Sequence, residues 1–277
     1  MDFAEASTVR IDGYFYRIRR VVHGGMGTVL LCEATSEWTS TVYNRRLAAK
    51  VFSPDDDQLQ LRRELMVWQG LAHPNTVRLH VIGHVDDFLC ATMAWYDGGA
   101  VSPEWFRSSG GLGELKAMVH QICSALRYAF ETEGVLHLDI KPGNILRQGR
   151  HYAVADWGIA RISSTRAAAQ SPLSGGTIPY MAPERFATEP TTIAADIYSV
   201  GMMTFELFTG FLPFRARTIE EMVHAIVSRN YISEMRVALL AMPPGWRALI
   251  TAYCHPDPPR RPSTYRAALR LLEKLED

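Results

Sequence analysis

The sequence has no excess of charge of either sign: its 277 residues carry 29 lysines and arginines against 29 aspartates and glutamates. A neutral balance gives no electrostatic case for nucleic acid or an anionic membrane as the main partner. Cysteine is scarce as well. Cys32, Cys90, Cys123 and Cys254 are separated by 58, 33 and 131 residues, which matches no zinc or CxxC spacing. Each lies among apolar neighbours, so buried thiols in a reducing compartment are expected, and with them a cytoplasmic location. No secretory leader is expected from Met1-Asp2-Phe3-Ala4-Glu5, which has acids where a signal peptide needs bases and an apolar run. Long hydrophobic runs are missing too. The most apolar stretch, Ile197 to Phe214, contains Gly201, Glu206, Gly210 and Pro213 and reads as a buried core helix, so no membrane span is expected.

What remains is the composition of a soluble globular chain, 47% hydrophobic and 21% charged, which excludes a coiled coil, a collagen-like chain and a disordered tail. The first hundred residues read as strands. Tyr14 to Ile18 and Val29 to Cys32 flank a glycine cluster, and Arg46 to Phe52, Val77 to Ile82 and Phe88 to Tyr96 are further short apolar runs. Glu33 to Arg45 reads as a long hairpin connection. Ser53-Pro54-Asp55-Asp56-Asp57 supplies caps for a helix from about Gln58 to Gly70. After Asp97-Gly98-Gly99 the period changes to that of helices, over Leu112–Thr132, Ile197–Thr209, Ile219–Val227 and Tyr265–Leu275. Strands followed by helices imply an α+β fold.

Three features carry chemistry. In Val21-Val22-His23-Gly24-Gly25-Met26-Gly27-Thr28-Val29, glycines between strands let backbone N–H groups approach phosphate oxygens, although on these residues alone a flexible hairpin with a tight turn is the simpler reading. Lys50 stands inside an apolar strand, where a charge needs a partner, and Glu64 follows on the predicted helix; a snorkelling lysine and a solvated helix face are the alternative. His137-Leu138-Asp139-Ile140-Lys141-Pro142-Gly143-Asn144 brings a carboxylate, an amine and an amide onto one loop, with Asp156-Trp157-Gly158 twelve residues on. Such a set suits phosphoryl transfer, although each piece alone is ordinary turn chemistry.

Taken together and in order, these motifs resemble the eukaryotic-like (Hanks-type) Ser/Thr protein kinases, bacterial members included, over about residues 14 to 270. The resemblance implies a two-lobed protein-kinase-like fold as a single domain over 1–277. Its small strand-rich N-lobe would cover about 10–96 and its larger helical C-lobe about 97–277, with nucleotide bound between them. By the same resemblance Gly24, Gly25 and Gly27 cover the phosphates of ATP, and Val29, Ala48 and Leu146 sandwich the adenine. Lys50 contacts the α- and β-phosphates and pairs with Glu64. Met93 is the gatekeeper, and Ala94, Trp95 and Tyr96 form the hinge. Asp139 is the catalytic carboxylate, Lys141 meets the γ-phosphate, and Asn144 and Asp156 ligate Mg²⁺. Glu184 of Gly176-Thr177-Ile178-Pro179-Tyr180-Met181-Ala182-Pro183-Glu184 would pair with Arg261, and Asp196 would brace the catalytic loop. Lys141 after Asp139, with Thr177 before Tyr180, follows the Ser/Thr pattern, so the implied partners are proteins with Ser or Thr acceptors.

The chain also departs from the family. Val22 stands at the first loop glycine, which should stiffen the loop. Leu138 replaces the arginine before the catalytic aspartate, a non-RD pattern that implies activity without strict dependence on activation-segment phosphorylation. Trp157 replaces the usual Phe, and the family layout would stack it with Trp68, His137 and Leu79. The connection from Val29 to Lys50 is long and carries Trp38 and Tyr43; a partner-binding tip and a packed hairpin are both open. Ser163, Ser164, Thr165, Ser171 and Ser174 are candidate phosphosites or an unmodified loop. No appended sensor, docking or membrane domain is expected. Two rivals stand beside the enzyme reading: a pseudokinase scaffold, favoured by Val22, and a small-molecule kinase.

Overall fold

A computed structural model describes residues 3–24, 27–36, 45–157, 161–162, 177–187 and 191–276. Gly25, Trp38, Tyr43, Gly158, Gly176 and the serines and threonine between 163 and 174 lie outside the described residues. The chain divides into two compact units, Met1–Ala72 with Val77–Asp97, and His73–Thr76 with Gly98–Asp277.

The first unit is built on β1 (Thr8–Ile11), β2 (Tyr14–Gly24), β3 (Gly27–Ala34), β4 (Arg46–Val51), β5 (Leu79–Val85) and β6 (Phe88–Ala94). Their order, β1-β2-β3-β4-β6-β5, closes into a barrel through Ile11 opposite Val85. Strand β1 was not read from the sequence, although Asp12-Gly13 is a hairpin signal. The structure pairs Ile11 with Tyr14 around those two residues, both at positive φ (47° and 88°). Alternation directs Ile18, Leu30, Cys32, Leu47, Ala49 and Val51 into the barrel, where all are buried. Helix α1 (Gln58–Gly70) starts at Asp57, whose Oδ1 accepts the N–H groups of Leu59 and Gln60 at 3.0 Å each. Its Trp68 is buried, and the indole N–H donates to the Val77 carbonyl at 2.7 Å.

The second unit is helical, as its 3.6-residue periodicity implies. Helix α2 (Gly111–Glu133) buries Leu115, Met118, Val119, Ile122, Cys123, Leu126 and Ala129, the stripe read from the sequence, and ends at Gly134 with φ 64°. Helix α3 (Ile193–Thr209) begins four residues before the expected Ile197, because Thr192 caps it by accepting the Ala194 N–H. It is buried on nearly all sides. Gly201 permits this: a Cβ there would lie 2.6 Å from Cys254 Sγ and 2.7 Å from Tyr253 Cβ. Helices α4 (Ile219–Val227), α5 (Tyr231–Leu239), α6 (Pro244–Tyr253) and α7 (Tyr265–Glu273) complete the unit, with α2 on α7 and α3 on α6. Helices α5 and α6 were not read from the sequence. Short strands β7 (Val135–Leu136), β8 (Ile145–Gln148), β9 (His151–Val154) and β10 (Arg161–Ile162) carry the polar loops. All four cysteines are buried free thiols. Among the described residues no helix is long and apolar enough to cross a membrane.

Candidate active site

The residues singled out by sequence fall in both units, and each half is built from its own elements. In the first unit, β2 and β3 form a hairpin that sets Val22 opposite Val29 and Gly24 opposite Gly27. Val22 therefore fits as an extended, solvent-exposed strand residue. Gly27 has φ 120°, and a Cβ on it would meet the Val51 carbonyl oxygen at 2.7 Å, so a side chain is excluded at that position.

Because Leu47, Ala49 and Val51 point into the barrel, Ala48 and Lys50 project from its outer face. Register places Val29 beside Lys50 on one flank, and Ala48 beside Met93 on the other. Lys50 is nonetheless buried, with Nζ 5.4 Å from the centre of the Phe52 ring. Glu64 on α1 belongs to the same unit and accepts from Gln60 Nε2 at 2.8 Å. Met93 and Ala94 end β6, and Trp95 and Tyr96 follow. The Arg46 guanidinium covers the Trp95 ring at 4.1 Å and pairs with Asp97 at 2.8 Å. Burial pushes the Tyr96 phenol up from its ordinary pKa.

In the second unit, the polar loop between β7 and β8 converges on one carboxylate. Asp139 is buried, and both of its oxygens are used. Oδ1 accepts the Thr177 N–H at 2.7 Å. Oδ2 accepts from Lys141 Nζ at 2.8 Å and from Asn144 Nδ2 at 2.9 Å. Lys141 Nζ also donates to Thr177 Oγ1 at 2.6 Å, and Asn144 Nδ2 to the Asp139 carbonyl at 2.8 Å. Pro142 to Asn144 forms a single 3₁₀ turn, which brings Asn144 back under Asp139. Leu146, paired with Ala153, lies on β8 just beyond it.

Fully buried Asp196 on α3 holds this loop from below. Its Oδ2 accepts the His137 N–H at 2.9 Å and its Oδ1 the Leu138 N–H at 2.7 Å. The His137 ring touches the Ala155 carbonyl at 3.0 Å and packs edgewise on Trp157, centroids 4.6 Å apart. That contact ties Asp156, at φ 62°, to the loop bearing Asp139. The expected pair also forms, with Arg261 bonding both Glu184 oxygens.

Two residues escaped the sequence reading. The Tyr265 hydroxyl donates to Asp196 Oδ2 at 2.9 Å; Tyr265 was read only as the start of a helix, though a buried tyrosine needs a partner for its O–H. Arg185 Nη1 donates to the Leu138 carbonyl at 2.7 Å, and its signal was a second charge beside Glu184 between the apolar residues Met181-Ala182 and Phe186-Ala187.

The donor chemistry suits a phosphate-bound Mg²⁺. Asn144 commits its N–H groups to Asp139, which leaves its carbonyl oxygen for a hard cation, and Asp156 adds a carboxylate nearby in sequence. Among the described residues no cluster of three or more His, Cys, Asp and Glu could hold a metal. Two oxygen donors are what Mg²⁺ takes from protein when water and phosphate complete its shell.

Comparison with known proteins decides the family. Residues 15–272 match the protein kinase domain model. The chain belongs to the protein kinase family. The chain is similar to Ser/Thr-protein kinase PknD of Mycobacterium tuberculosis, 33% identical over 77% of this chain and 32% of that protein. Against PknH of Mycobacterium bovis it is 34% identical, over 77% of the chain and 36% of the relative. Against PrkC of Bacillus subtilis the values are 31%, 74% and 32%. The chain thus spans about a third of the length of these curated relatives.

Proposed function

We propose that the chain is a bacterial-type protein serine/threonine kinase that moves the γ-phosphoryl group of ATP onto Ser or Thr hydroxyls of proteins, itself included. It would work as one kinase domain, with a strand-rich lobe over about 10–96 and a helical lobe over about 97–277. The observation that carries the reading is the Asp139 carboxylate, held by Lys141, Asn144 and the Thr177 N–H.

Asp139 would orient the acceptor hydroxyl and accept its proton as the oxygen attacks phosphorus and the bond to ADP breaks. Lys141, already at the carboxylate, would meet the transferring phosphoryl oxygens. Lys50, with Glu64 as its proposed partner, would hold the α- and β-phosphates. Gly24, Gly25 and Gly27 would bring backbone N–H groups to the phosphates. Val29, Ala48, Leu146 and the stretch Met93, Ala94, Trp95 and Tyr96 would receive the adenine. Asn144 and Asp156 would hold Mg²⁺, which neutralises phosphate charge when bound. These charged groups argue against the pseudokinase scaffold.

The test is transfer from γ-labelled Mg²⁺-ATP to a generic protein, with acid hydrolysis of the product. Label in phosphoserine and phosphothreonine supports the reading. Label only on an aminoglycoside or sugar moves the assignment to a small-molecule kinase, and nucleotide binding without any transfer moves it to a scaffold.

A further inference from the structure

Leu138 has a backbone that few bulky residues adopt. Its φ is +65°, in the left-handed region, and its side chain is buried. Such a conformation persists only where neighbours hold it. Both polar groups of Leu138 are held: its N–H by Asp196, and its carbonyl by Arg185 Nη1 at 2.7 Å. That carbonyl and the Asp139 N–H share one rigid peptide plane. The N–H half of the plane donates to His137 Nδ1 at 3.2 Å. Arg185 therefore grips the peptide that aims the Asp139 side chain.

The grip is prepared in advance. Arg185 is buried in the turn Pro183–Phe186, closed by its own N–H to the Ala182 carbonyl at 3.0 Å. The preceding Glu184 is fixed by Arg261 through two bonds. Helix α4 packs against the same turn.

We infer that Arg185 is a positioning residue for Asp139, and that it orders the catalytic loop through the Leu138 carbonyl without a phosphate on the segment before Thr177. This rests on the kinase reading of Asp139. At Leu138 the family pattern has an arginine; here a cation from the opposite segment reaches the backbone of that same position. A lysine can offer one donor there but lacks the planar fork of arginine.

The experiment compares wild type, Arg185→Met and Arg185→Lys as full chains. It measures kcat, KM for ATP, thermal midpoint, and amide hydrogen exchange over Val135 to Ile140. A small misplacement of a catalytic group costs roughly 10- to 100-fold in rate. Arg185→Met is expected to lose that much in kcat, with KM for ATP within about twofold, because the residues assigned to nucleotide are untouched. Arg185→Lys should recover part of the rate, and exchange at Leu138 and Asp139 should quicken in Arg185→Met. A folded Arg185→Met at wild-type kcat overturns the inference. So does a rate loss matched by a loss of folded fraction while exchange stays at its wild-type value. If Arg185→Met does not fold, Arg185→Lys decides: reduced kcat at unchanged KM supports the role, and wild-type kcat overturns it. Should wild type itself transfer nothing, the kinase reading falls and exchange still decides whether Arg185 holds the peptide.

Discussion

Arg261 and Glu184 stand 77 positions apart in the chain and meet as a buried two-bond pair, Nη1 to Oε1 at 2.6 Å and Nη2 to Oε2 at 2.9 Å. The remaining guanidinium N–H groups are not wasted. Nε donates to the His255 carbonyl at 2.6 Å, and Nη1 also reaches the Ala194 carbonyl at 2.9 Å. Planar donors in a fixed fork match a carboxylate in a way a lysine cannot.

Removing one partner of such a pair strands a buried charge. Arg261→Met is expected to cost about 3–5 kcal/mol in urea unfolding, whereas the double variant Arg261→Met with Glu184→Leu should recover part of it. A single-variant loss below about 1 kcal/mol would show that the pair does little for stability.

Tyr180 donates its hydroxyl to Glu206 Oε2 at 2.5 Å. Burial holds the Glu206 carboxyl above the ordinary range, and the Tyr180 bond pulls it part of the way back. A raised folded-state pKa gives stability that is present below the unfolded value and is lost as pH rises through the folded one. Tyr180→Phe raises that pKa further and should cost about 1.5–3 kcal/mol at pH 7, but less at pH 4. Equal losses at the two pH values would contradict this.

Burial pushes the thiols of Cys32, Cys90, Cys123 and Cys254 up from 9.0 to about 12. At pH 8 an aromatic disulfide reagent should find no fast-reacting thiol in the native chain and four after denaturation. Above pH 9 the unfolded chain releases thiol protons that the folded chain keeps, so stability should fall between pH 9 and 12. A native thiol that reacts within seconds would contradict the assignment.

Leu138 offers no cation to a phosphorylated residue. Replacing Ser163, Ser164, Thr165, Ser171 and Ser174 together by alanine is expected to leave the initial transfer rate within about twofold of wild type, as is prior phosphatase treatment. A tenfold fall in either case would restore a phosphate-dependent switch.

Much of this was legible beforehand, for definite reasons. The stripe from Leu115 to Ala129 follows the helical period, and that period gave α2 to within a residue at each end. Asp139, Lys141 and Asn144 lie within six positions, so one turn suffices to bring them together. What was hidden depends on contacts between distant segments. Closure of the barrel rests on Ile11 meeting Val85, and no local pattern specifies that pairing. Tyr265 reaches Asp196, which holds the catalytic loop, from 69 positions away, and Arg185 reaches the loop itself from 47. Helices α5 and α6 were hidden because α5 is only nine residues long, with Ile232 and Val237 blurring the period of Tyr231, Met235 and Leu239, and because Pro243-Pro244 resembles a loop although proline suits a first helical turn.

The central claim is that Asp139 and Asp156 serve phosphoryl transfer. The most direct measurement is γ-label transfer by wild type, Asp139→Asn and Asp156→Asn under identical conditions. The account predicts label on the wild type and on a protein acceptor, with at least a roughly 100-fold fall in each variant while all three stay folded. Transfer undiminished by either substitution, or none from well-folded wild type, would contradict it.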